Sequence, residues 1–472
     1  VKHRMLRGAA LALVLAAVPM AAGAAPAAPS APAAPSQQFR VDPVYYNLPN
    51  GLRVVLLKDS RVPTVTVAVH YGIGFRVEPR DRTGFAHLFE HLLFQGSENA
   101  PKGHFINLVS NAGGAMNGST RFDYTNYYQV VPSGALEAMI WGEADRMARP
   151  VINAEVLKNQ QDVVANEVKV NVINQPYGGW PWLVMPQAAN TNWHNAHNFY
   201  GALDDLEAAT VDDAKAFHER FYGPNNSVLF IGGDFDEAQT RRWIEQYFGA
   251  IPASAPVQMP DISEPRQTEP RRVIHNDPLA PKPAWAAGWH MPPRHSQEWY
   301  AMGLINQMLI QGTDSRLYDK LVRQESITSG IGGGINLLGS QYTYNGPMEM
   351  VVDLTHDADK TEAQITAAVD AVVGDLQNNL VSDQELQRAK TKIRSSLYGT
   401  IDSASRFGLA EILSAYALFD DNPAKFNDVE AGFAAVTPEL IRATAREYLR
   451  DGNRTIVILQ PGAAQAASEA QQ

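Results

Sequence analysis

The sequence predicts an α+β fold built twice in tandem, and three observations carry that reading. Thr210–Ile231 aligns without gaps on Thr437–Ile458, each a capping Thr, a helix, an Asn-containing turn and an apolar strand. Leu92-Leu93-Phe94-Gln95-Gly96 aligns in the same sense on Met308-Leu309-Ile310-Gln311-Gly312. The proline-rich stretch from Pro252 to Pro270 separates the two copies as a linker.

Composition sets the outer bounds. The chain has 472 residues, 45% hydrophobic and 19% charged, enough for two domains with proper cores. A formal net charge of −11 excludes a nucleic-acid binder, which needs a basic face. There is no cysteine, so stability rests on the cores, and any metal is held by imidazole and carboxylate. Residues 1–24 read as a secretory signal: Lys2, Arg4 and Arg7 precede an apolar run ending in the small-residue site Ala22-Gly23-Ala24. That run is short for a membrane span, an uncleaved anchor being the alternative, and residues 25–37 form an Ala/Pro spacer. The mature chain is therefore expected in the periplasm or outside the cell, with no membrane segment. It divides into a first domain over 38–251, the linker over 252–270, a second domain over 271–462 and a disordered tail over 463–472.

Within the first domain, Asn50-Gly51 between two extended runs predicts a hairpin. Pro63 to Gly72, β-branched and alternating, predicts a central strand, in which His70 is expected to pack rather than ligate. Helices follow over the stretch beginning at Gly84 and over Lys102 to Asn111, broken by Asn111-Ala112-Gly113-Gly114. Ala115 to Val131 favours a strand hairpin, and a strand with a free edge can take up an extended peptide through its main chain. Leu136 to Met147 and Ala154 to Val172 predict two further helices.

The chemistry lies in the pentad His87-Leu88-Phe89-Glu90-His91. Histidines four apart on a helix share a face, and a carboxylate three after the first joins them. This is the inverted form of the zinc-protease motif. Phe85, Leu88, Phe89, Leu92 and Leu93 surround it, so the helix is expected to be buried and its polar face to need an ion. A third ligand must come from elsewhere, and spacing alone leaves Glu155, Asp162 and Glu167 open. In the register of the repeat, His87, Glu90 and His91 fall opposite Gly303, Asn306 and Gln307, so one Zn²⁺ per chain is expected. His194-x-x-His197 is read as structural, and Asp204-Asp205 and Asp420-Asp421 as solvated acids.

These residues resemble the pitrilysin, insulysin and mitochondrial processing peptidase group of inverted-motif zinc peptidases. The resemblance implies Glu167 as third ligand. It also places Asn117-Gly118-Ser119-Thr120 and Thr125-Asn126-Tyr127-Tyr128 on the substrate strands, with Asn117, Gly118 and Tyr128 beside the peptide. It implies two mostly antiparallel sheets with helices packed on them, the domains facing each other across a cavity. Length fits the two-domain type, and closest is the zinc-bearing subunit of a two-subunit bacterial member. Two departures stand out. Gln160 occupies the place of a Glu that supports the metal site, and a neutral amide there is expected to tune the site. The family's substrate-holding Arg is present as Arg323, but Gly330 stands where a Tyr follows it, and a glycine offers no hydroxyl.

The expected function is therefore a zinc endopeptidase cutting peptides or unfolded segments. His87, His91 and Glu167 hold the metal and Glu90 acts as base. A homologous partner without the zinc motif supplies the Arg/Tyr pair in a heterodimer. The alternatives are a self-sufficient homodimer using Tyr342 or Tyr344, a non-catalytic scaffold subunit, and a zinc hydrolase of non-peptide esters or amides.

Overall fold

The computed structural model describes residues 39–401 and 407–462. The signal, spacer and tail expected from the sequence lie outside the described residues. The first half carries strands β1 (Val44–Asn47), β2 (Arg53–Lys58), β3 (Thr64–Tyr71), β4 (Ala115–Thr120), β5 (Thr125–Pro132) and β6 (Ser227–Gly233). The second carries β7 (Arg271–Asp277), β8 (Ala284–His290), β9 (Gly332–Ile335), β10 (Glu349–Thr355) and β11 (Arg454–Pro461). The sheet orders are β1-β2-β6-β3-β5-β4 and β7-β11-β8-β10-β9. Removing β1 makes the two identical strand for strand, down to the single parallel pair in each, β2 with β6 and β7 with β11. The duplication read from two short alignments is thus a duplication of topology. The helices before β6 and β11 even start alike, Thr210 accepting from Asp213 N and Thr437 from Leu440 N.

The Asn50-Gly51 hairpin forms, with Gly51 at φ +86 and Asn47 facing Arg53 across the ladder. β3 is central, and its alternation shows what buries each face. Val65, Val67, Val69 and Tyr71 join the core that includes Phe85, Leu88 and Phe89, whereas Ala68 joins a second core containing Leu409, Ala410 and Tyr416. That second core reveals an exchange. The helix Phe407–Asp420, from the second half, packs on β2, β3 and β6, and the helix Val184–Ala189, from the first half, packs on the second sheet. The sequence of the former, FGLAEILSAYALFD, is apolar on every side, so it must be covered on every side.

The exchange is fastened by a buried ion pair. Arg76, 1% exposed, donates through Nη1 to Asp123 Oδ1 at 2.8 Å and through Nη2 to Pro347 O at 2.6 Å, and Asn345 N donates to Asp123 Oδ2 at 2.7 Å. The acids expected to be solvated are mostly in use. Asp420 accepts from Arg294 Nη2 at 2.9 Å and Lys425 Nζ at 2.8 Å and faces His295, while Asp205 accepts from the hydroxyl of Thr83. Runs of two acids carry no sign of such partners, all of which except Lys425 lie far away in sequence.

Asp353 on β10 faces Gly332, where a β-carbon would come within 2.7 Å of its Oδ1, and burial holds its carboxyl up at about 6. The folded value lies above the ordinary 3.8. This group therefore costs nothing at pH below the unfolded value and destabilises the fold progressively as pH rises from about 4 through about 6. Asp353→Asn is expected to gain stability over the wild type at pH 8 but not at pH 4, measured by denaturant unfolding at both.

Candidate metal centre

The helix Phe85–Leu92 carries the pentad, with Phe85, Leu88 and Phe89 fully buried. It begins at Gly84, whose φ is +81 and where a β-carbon would meet Tyr200 O at 2.4 Å, so only glycine fits. His87 and His91 lie on one face, rings 4.8 Å apart at 82°. The helix Ala154–Val168 packs against this one, and its Leu157, Val164 and Ala165 join the same core as Phe85, Leu88 and Phe89. Of its three acids it brings Glu167 to the histidines. His91 Nε2 lies 3.2 Å from Glu167 Oε2 and His87 Nε2 lies 3.6 Å from Oε1. Glu167 shares its face with the buried Val164, while Val163 is exposed. Beyond Val168 the chain widens into a π-turn over Lys169–Ile173 instead of continuing as α-helix to Val172.

These donors suit a metal. At these separations the three side chains can share one ion, and two imidazoles with a carboxylate are a zinc donor set. Burial pushes His87 down to about 4, so at neutral pH it is an uncharged imidazole, the form that ligates. The hydrogen bond from His91 holds the Glu167 carboxyl below its usual range. Among the described residues no other group of three His, Asp or Glu side chains comes this close, including the second half's Gly303, Asn306 and Gln307. His194 and His197 instead donate through Nδ1 to Arg76 O and Trp193 O.

Glu90 lies on the same helix face, half-buried, with its carboxyl pushed up by burial. Thr120, the last residue of β4, donates to Glu90 Oε2 at 2.8 Å. This contact was not anticipated from sequence, and it joins the helix to the strand. β4 pairs only with β5 and ends the sheet, so its outer edge is free among the described strands. Thr120 points toward the helix, so Asn117 points to the opposite face, level with Tyr128. There Tyr128 stacks on Phe407 at 3.6 Å, and Asn117 Oδ1 accepts from Gly118 N. What β4 presents toward the motif helix is the Thr120 hydroxyl. Gly118 lets Phe94 pack beneath it, a β-carbon there lying 3.1 Å from Phe94 Cε2.

Gln160 is buried two turns before Glu167, its amide donating to Asn159 Oδ1. Arg323 is half-exposed, 3.6 Å from Asp319 and over the Tyr318 ring at 5.3 Å. A β-carbon at Gly330 would meet no atom within 4 Å. Tyr342 and Tyr344 cannot take the missing phenol's place as they stand: both are buried, their hydroxyls accepting from Gln341 Nε2 and Trp299 Nε1. Sequence spacing also missed Tyr200, whose ring meets His87 edge-on at 5.1 Å and whose hydroxyl is pushed up to about 12 by burial and by Glu167.

The sequence matches the family described as Insulinase (Peptidase family M16) over residues 53–177 and the one described as Peptidase M16 inactive domain over residues 208–393. The chain belongs to the M16 peptidase family. It is 25% identical over 427 residues to zinc protease PqqE of Helicobacter pylori, covering 88% of this chain and 92% of that one. It is 20% identical over 374 residues to mitochondrial-processing peptidase subunit beta of Saccharomyces cerevisiae, covering 76% and 78%. The crystal structure of a protease from Helicobacter pylori shares the M16 fold at a TM-score of 0.82 and 22% identity, over 90% of this chain and 100% of that one. The M16 inactive-domain match falls mostly on the half without the pentad.

Proposed function

We propose that this chain is a zinc-dependent endopeptidase, and the convergence of His87, His91 and Glu167 beside Glu90 is the observation that carries the reading. A bound zinc supplies a Lewis acid that makes water nucleophilic near neutral pH and polarises a carbonyl. Glu90 takes the proton of the attacking water and passes it to the leaving amine, a role favoured by a carboxyl whose affinity for protons burial has raised. Thr120 holds one Glu90 oxygen and leaves the other for that work. The free edge of β4 pairs with the substrate main chain, which favours extended peptides and unfolded segments over folded proteins. Loss of peptide cleavage on chelation and its return with zinc is the expected result on a peptide panel; cleavage indifferent to chelation contradicts it. Esters cleaved where no peptide is would favour the non-peptide hydrolase instead.

The second part of the proposal is a heterodimer. Arg323 is present without its tyrosine, and neither buried tyrosine nearby in sequence replaces it. A homologous partner lacking the zinc motif then contributes the phenol that steadies the oxyanion. Open space at Gly330 allows a direct trial: Gly330→Tyr is expected to fold and to raise kcat/KM of the isolated chain at least about tenfold, part of the ~10²–10³ that an oxyanion donor supplies. An isolated wild-type chain already as active as the variant contradicts the partner requirement. The basic residues followed by an apolar run support a periplasmic or secreted setting, and no described helix is long and apolar enough to cross a membrane.

A further inference from the structure

We propose that Glu78 is a positioning residue of the metal centre, acting through the start of the motif helix and backed by His197; the inference rests on the metal reading above. Glu78 is fully buried, six residues before Gly84, the N-cap position of the helix. Its two oxygens take the first turn's free donors, Gly84 N to Oε2 at 2.9 Å and Ala86 N to Oε1 at 2.5 Å. Gly84 has no side chain with which to cap the helix, so these bonds replace the cap. Ala86 directly precedes His87, so these bonds hold the backbone from which the His87 ring projects.

A metal-ligating histidine is ordinarily oriented by a partner on its other ring nitrogen. His87 lacks one: Nδ1 is buried and unpartnered. Its direction is therefore left to its backbone and to the rings packed on it, Phe199 at 5.6 Å and Tyr200 at 5.1 Å. The same short loop delivers His197, whose Nε2 lies 3.6 Å from Glu78 Oε2. His197 is itself fixed, stacked on Trp193 at 4.2 Å and donating through Nδ1 to Trp193 O. One loop thus packs Phe199 and Tyr200 on the ligand's ring and places His197 beside the ligand's backbone anchor. An acceptor with its oxygens on these donors also suits the positive end of the helix.

The test is zinc affinity of the full chain, measured by competition with a chromophoric chelator, alongside thermal melting of the metal-free protein. Glu78→Gln keeps the shape but presents an NH₂ to one of the two N–H donors. It is expected to weaken zinc binding about 10–100-fold, with the metal-free melting temperature lowered by no more than about 5 °C. Turnover is expected to return when zinc is in excess. His197→Asn retains a donor for Trp193 O and removes the nitrogen facing Glu78; a loss of zinc affinity of about threefold or more is expected. Unchanged zinc affinity in Glu78→Gln at a lowered melting temperature makes Glu78 a plain helix cap and overturns the proposal. If that variant does not fold, unchanged affinity in His197→Asn overturns it. A wild-type chain that binds no zinc overturns the metal reading itself, an outcome separate from either variant's.

Discussion

Replacing Glu90 by Gln is expected to leave one zinc per chain in place and to lower kcat by a factor on the order of 10²–10⁴, with KM for peptide little changed. The split follows from what the side chain touches. Glu90 contributes no atom to the group formed by His87, His91 and Glu167, so its charge is not needed to hold the ion. The Thr120 hydroxyl can donate to a glutamine oxygen as it does to the carboxylate, so β4 and the helix stay joined. What an amide cannot do is accept the water's proton. Metal analysis with steady-state kinetics on the same preparation checks it, and retained turnover removes Glu90 from the role of base.

The second large effect is on stability. Asp123→Ala is expected to destabilise the chain by about 3–5 kcal/mol, because it leaves the Arg76 guanidinium buried and uncompensated. It also deprives Asn345 N of its acceptor, so both halves lose a contact at once. Replacing an exposed pair such as Arg61 with Asp59 should cost under about 1 kcal/mol by comparison. Denaturant unfolding of the two variants beside the wild type measures both, and equal costs would mean that the pair does not fasten the halves.

The parts of the fold that could be read from sequence are those with local signatures. Asn50-Gly51 demands its turn, β3 shows its burial by β-branched alternation, and the motif helix shows its own by the ring of Phe and Leu around two histidines. The repeat was legible because caps and terminal strands recur, and the sheet orders show why: each copy needs the same parallel closing strand. The exchange of helices was not legible. An apolar sequence such as that of Phe407–Asp420 states that it is buried but not by which sheet. At the candidate centre, the face holding His87, Glu90 and His91 follows from helical spacing, whereas Glu167 required the resemblance, since Glu155 and Asp162 share its helix. Thr120, Glu78, Tyr200 and Asp420 act through contacts between distant segments. No local pattern marks such residues, and the strands expected to hold substrate illustrate the converse: Asn117 on β4 and Tyr128 on β5 follow from the resemblance, yet their side chains face away from the helix that Thr120 touches.

Zinc content after equilibrium dialysis at a fixed low free-zinc concentration, wild type beside Glu167→Gln, tests the three-ligand centre most directly. The expected result is one zinc per wild-type chain and almost none in the variant, with both proteins folded. A wild-type chain without stoichiometric zinc, or a variant that holds as much as the wild type, contradicts it.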